Sequence, residues 1–251
     1  MTGDESLINQ LKLGVDFLQS GHLDKAENTF NEILAGIKDE PNALNYLGLI
    51  SQRRGNLREA YELIQKSLKS DDSNYIAYSN LGKILLQAGK PREAAICFEE
   101  SIIRKEDYSD SWLFLSTTLY SIGNHEKAIE SIRKAVELNP SYHGAYIKLG
   151  NMLKDQGAIE EAIRNYKKAI EVNPDCADAY SNLGIALKDQ GKFEEAIKNY
   201  RKVIELNPAY AGGYSNLGNA LKGQGKFEEA IKNHRKAIEL NPVYAGGYSN
   251  L

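Results

Sequence analysis

The chain has 251 residues, 42% of them hydrophobic and 26% charged, with a net charge of −3. That balance belongs to a globular chain rather than a disordered one, and the even scatter of Lys and Arg excludes the basic stripe that draws nucleic acid. Cys97 and Cys176 lie far apart with no CxxC spacing, so neither a disulfide framework nor a zinc site is expected, and a reducing, cytoplasmic compartment fits.

In chain order, MTGDES is acidic and leads into LINQLKLGVDFLQSG, where polar residues interrupt the apolar ones; this is neither a signal peptide nor a membrane span. From Leu7 the sequence repeats every 34 residues, in units 7–40, 41–74, 75–108, 109–142, 143–176, 177–210 and 211–244. Position 15 of each unit is Gly (Gly21, Gly55, Gly89, Gly123, Gly157, Gly191, Gly225) and position 20 is Ala. Position 8 is Gly except in the fourth unit, which has Ser116, and position 32 is Pro in the last four. In residues 177–210, Tyr180, Leu183, Gly184 and Leu187 form one helix face, and Phe193, Ala196, Ile197, Tyr200, Val203 and Ile204 form a second. Each unit is therefore predicted to be two amphipathic helices. Gly191 suits the left-handed position that ends the first helix, Pro208 stops the second, and Pro91 opens a helix where its missing donor costs nothing.

One helix pair cannot cover its own apolar face, so the pairs must stack into an all-α, right-handed solenoid. Residues 1–6 form a leader, and the final AGGYSNL repeats residues 211–217 letter for letter, so 245–251 reads as the start of an eighth unit. No polar capping helix follows, which leads us to expect a fragment of a longer protein whose exposed end repeats fray or self-associate. Leu11, Val15 and Leu18 add an apolar stripe on the first helix that offers a second route to self-association.

The period, the glycines at positions 8 and 15 and the alanine at 20 resemble the tetratricopeptide repeat over residues 7–244, most closely from Ala177 to Tyr244. The first two units depart from it, with Gln10 and Leu44 at position 4 and Pro41 three residues late. The resemblance implies a superhelix whose first helices line a groove for an extended peptide or a partner's helix. It implies a scaffold or adaptor rather than an enzyme, or, alternatively, the N-terminal recruiting arm of a protein-modifying enzyme such as an O-linked N-acetylglucosamine transferase, with its catalytic domain beyond residue 251.

Opposite the buried side of the first helices lie positions 2, 6, 9 and 13. They carry Asn80, Asn182, Asn216 and Asn250 at position 6, and Asn151 and Asn219 at position 9. An amide donates and accepts, so such a ladder can pair with a peptide backbone whatever its side chains. The resemblance points the same way, to the groove asparagines of the glycosyltransferase arms. Tyr46 and Leu49 of the second unit, and Phe114 and Tyr120 of the fourth, offer apolar anchors in the first half of the groove. The terminal-carboxylate clamp of chaperone-binding relatives is not expected, because Leu11 and Val15, or Asn45 and Leu49, occupy its positions. The second helices, with Glu194, Glu195, Lys198, Arg201, Lys202 and Glu205, read as a solvated convex face held by Glu-to-Lys pairs four residues apart.

No catalytic constellation appears. His22, His125, His143 and His234 fall at four different positions, and His234 stands at a packing position. No phosphate loop or metal motif is present, so no enzyme activity, cofactor or metal is expected, and the partner is a protein or peptide segment rather than nucleic acid or membrane.

Overall fold

A computed structural model describes residues 3–242 and, among them, fourteen α-helices and no strand. The chain divides into two compact units, Met1–Leu138 and Asn139–Leu251. The first unit holds α1 (Gly3–Gln19), α2 (Leu23–Gly36), α3 (Pro41–Arg53), α4 (Leu57–Ser70), α5 (Tyr75–Gln87), α6 (Pro91–Arg104), α7 (Ser109–Ser121) and α8 (His125–Leu138). The second holds α9 (His143–Asp155), α10 (Ile159–Val172), α11 (Ala177–Asp189), α12 (Phe193–Leu206), α13 (Ala211–Gly223) and α14 (Phe227–Leu240). In both, each odd-numbered helix packs on the even-numbered helix that follows it, and that second helix packs on the next odd one.

Local chemistry sets the helix ends. Gly191 takes φ +75°, a left-handed conformation, while the Lys192 amide donates to the Leu187 carbonyl at 2.9 Å and closes the end of α11. Asn207, at φ −140° and ψ 84°, has left the helical region before Pro208, as the proline ring demands, and α12 ends there. Pro41 serves the other end of a helix: it opens α3, with the Glu40 carboxylate accepting the Ala43 amide at 2.5 Å. The turn before it needs a left-handed Asp39, φ 63°, whose carboxylate pairs with Lys66 at 2.5 Å. The late proline thus shifts the turn chemistry without breaking the helix pair.

The small residues allow close backbone approach. A Cβ on Gly184 would lie 2.7 Å from the Tyr200 ring, and one on Gly150 2.5 Å from Tyr166. In the fourth pair Ser116 is buried, and its hydroxyl turns back to donate to the Leu113 carbonyl at 2.7 Å. Of the α1 stripe, Leu18 is buried, while Leu11 and Val15 are half-buried and pack against the cluster around Phe30 and Leu47.

Within each unit consecutive first helices touch one another, while consecutive second helices barely approach. Each unit therefore curves with its odd helices on the inside. On the outside of the second unit the charge pairs are three residues apart, Lys168–Glu171, Lys202–Glu205 and Lys236–Glu239 at 2.6 to 2.7 Å, and Glu194 instead accepts from Gln224, whereas in the first unit Arg58–Glu62 and Glu100–Arg104 are four apart. In place of the expected four-residue pairing with Lys198, Glu194 takes its hydrogen bond from Gln224, the residue that caps the end of α13.

Candidate functional site

In the first unit the inner face is built on aromatic pairs sixteen residues apart. Tyr46 on α3 stacks on Phe30 of α2, centroids 5.1 Å apart, and Leu49 packs against the same cluster. Phe114 on α7 stacks on Phe98 of α6 at 5.6 Å. Tyr120 meets the His125 ring edge-on at 4.6 Å. Tyr46, Leu49, Phe114 and Tyr120 are half-buried; Tyr46 and Phe114 rest on the fully buried Phe30 and Phe98, whereas the ring beside Tyr120, His125, is exposed.

Asn80 departs from the expectation of an open groove residue. It is only 4% exposed and its side-chain amide donates to the Asn45 side-chain oxygen Oδ1 at 3.1 Å, because α3 and α5 touch at this point. Beside it stands Lys83, which the sequence reading passed over. Its Nζ lies 3.5 Å from the Asn80 amide oxygen and 4.7 Å from the centroid of the Phe114 ring. Burial lowers the Lys83 pKa, partly offset by Asp110. A lysine at a position held elsewhere by asparagine, threonine or apolar residues, three lattice positions from the aromatic Phe114 of the next unit, was the available signal.

In the second unit Asn151 on α9 is occupied: it accepts the Tyr166 hydroxyl at 2.7 Å. Asn182 on α11, with Asn216 and Asn219 on α13, are half-buried and make no hydrogen bond with another described residue. Asn250 lies outside the described residues. Thus of the five described asparagines, two are used to hold helices together and three keep free amides on the inner helices.

The groups with chemistry are placed otherwise. Burial pushes the Cys97 thiol up to about 11, with Glu100 and Glu93 adding to the effect, so it is no thiolate at neutral pH. His234 is fully buried against Gly218. Among the described residues no three His, Cys, Asp or Glu gather closely enough to hold a metal, and no helix is long and apolar enough to cross a membrane. The inner faces offer amides, ammonium groups and ring faces: the means to grip a backbone.

No curated protein sequence matches the chain. Its fold is shared by a crystal structure of MamA, at 29% identity over 67% of this chain and 92% of that one, TM-score 0.63. It is also similar to YrrB, a TPR protein with an unusual peptide-binding site, at 18% identity over 74% and 96%, TM-score 0.65. The C-terminal part of a TPR repeat-containing protein from Cytophaga hutchinsonii aligns over 96% and 99% at 17% identity, TM-score 0.75. Family models described as tetratricopeptide repeat match residues 11–75, 79–143 and 211–244, and one described as TPR repeat matches 150–191 and 186–225. The chain belongs to the tetratricopeptide repeat family.

Proposed function

We propose that this chain is a protein-interaction scaffold that holds an extended peptide or partner segment on the inner faces of its first helices. The broad part, a protein-binding module, follows from membership of a repeat family that serves interaction. The finer part is carried by one observation: Asn182, Asn216 and Asn219 are half-buried, point from inner helices and have no partner among the described residues. Half-buried amides left free are ready to exchange water for the donors and acceptors of a peptide backbone. Each such bond nets about 1 kcal/mol, so grip requires several together. The stacked Tyr46 and Phe114, with Lys83 above the latter, provide apolar contact and one cation on the first unit's inner face. The peptide-binding site of YrrB supports the same reading by analogy.

The test begins with peptides selected from a random display library on the immobilised chain. Alanine at both Asn182 and Asn216 is expected to weaken a selected peptide by roughly 1 to 3 kcal/mol with helicity unchanged. Equal weakening by alanine at Lys198 and Lys202, on the outside of α12, would place the binding elsewhere.

A further inference from the structure

The repeat supplies its own control for the outer face, and one helix breaks the rule. At positions 22 and 29 the last three units carry Arg164, Lys198 and Lys232, then Glu171, Glu205 and Glu239, all solvated charge. On α6 the same positions are Ile96 and Ile103, 58% and 75% exposed. Single exposed apolar side chains are ordinary, but two on one helix, seven residues and hence two turns apart, make a ridge.

Beside that ridge, between α6 and α8 and floored by α7, lies a cleft of about 370 Å³. Trp112, Leu115 and Leu119 form its floor, and Ile103 its wall. Glu99 and Glu130 stand on its rim against the single cation Lys127, and neither carboxylate takes part in an ion pair. Nearby cations are engaged elsewhere: Arg104 with Glu100 at 2.5 Å, Lys105 with Asp107 at 3.7 Å. The cleft is therefore apolar below, with two carboxylates against one ammonium above.

We propose that this outer cleft is a second docking site, which takes a partner helix carrying apolar residues seven apart flanked by lysine or arginine. The apolar residues fill the cleft beside Ile103 as buried anchors, and the flanking cations meet Glu99 and Glu130, which select sign and orientation more than they add affinity. The site lies wholly within the first unit and opens between two outer helices, on the side opposite the asparagine-bearing inner face, so the scaffold holds two partners at once.

Trp112 is the only tryptophan in the chain, so its fluorescence reports on the cleft directly. The probe is a synthetic amphipathic helix with leucines seven residues apart and flanking lysines, compared with one flanked by glutamates. The lysine peptide is expected to give a saturable change in emission and to bind at least about tenfold more tightly than the glutamate peptide. Ile103→Glu abolishes the change, and Glu99→Lys with Glu130→Lys reverses the preference. These positions are on the surface, and circular dichroism confirms that each variant is folded. No saturable change, equal binding of both peptides, or indifference to Ile103→Glu overturns the proposal. So does sedimentation that shows a dimer of the chain lost on Ile103→Glu, since the ridge then serves a second copy. The variant with alanine at Asn182 and Asn216 keeps the response, which separates failure here from failure of the inner-face reading.

Discussion

Tyr166 and Tyr200 occupy equivalent places, each fully buried against a glycine of the preceding helix, yet they differ by one bond. The Tyr166 hydroxyl donates to Asn151 at 2.7 Å, whereas the residue equivalent to Asn151 in the next pair is Ile185, and the Tyr200 hydroxyl is buried without a partner. Burial raises both phenol pKa values, so both remain neutral donors at any physiological pH. A satisfied buried hydroxyl nets about 1 kcal/mol, while an unsatisfied one carries its desolvation cost with no return. Tyr166→Phe is therefore expected to destabilise by about 1 kcal/mol, and Tyr200→Phe to be neutral or stabilising. Ile185→Asn supplies the missing acceptor and should reverse the order for Tyr200. Urea denaturation of the parent, the three single variants and Tyr200→Phe combined with Ile185→Asn checks this; equal losses for both phenylalanine variants would show that the bond to Asn151 adds nothing.

At the scale of a helix pair, α13 and α14 carry the same lesson with a titrating group. His234 fills the tyrosine position, is fully buried, and has no partner for either ring nitrogen. Burial, with Lys222 adding repulsion, lowers its pKa from 6.5. The unfolded chain thus binds a proton that the folded pair refuses, so stability is full above about pH 6.5 and falls as the pH drops from there towards the folded value. His234→Tyr copies the sister positions and removes this dependence. Thermal unfolding of both proteins at about pH 7.5 and about pH 5.5 is expected to show a larger acid loss for the parent. An equal loss would clear His234 of any part in it. The helix pairs themselves were legible in the sequence because their marks are local: a left-handed glycine, a proline, a small residue every helical repeat. The partners of Asn80, Tyr46 and Asn151 were not, because a helical wheel assigns a face to one helix and says nothing of the neighbour that covers it. The Ile96 and Ile103 ridge was equally visible, but the outer face was read from residues 194–205, where the lattice positions hold charge.

For the whole molecule, stability in a stacked array is a sum of helix-pair and nearest-neighbour terms, so coverage decides which pair opens first. Phe193 packs against Gly223 of α13, and Ile197 is only 5% exposed. Their counterparts on α14, Phe227 and Ile231, are 61% and 39% exposed. Burying an aromatic or isoleucine side chain stabilises by about 1.5 to 3 kcal/mol, so α14 lacks a sum that α12 has. Native-state hydrogen exchange is expected to show α14 amides exchanging first, with α12 following only at higher denaturant, and Phe227→Ala costing much less stability than Phe193→Ala. The two compact units each carry their own packed pairs, so segments 1–138 and 139–251 made separately are expected to keep their helicity. A single exchange rate shared by every protected amide, together with loss of helicity in both segments, would mean that the chain folds as one indivisible cooperative unit rather than as neighbours added in turn.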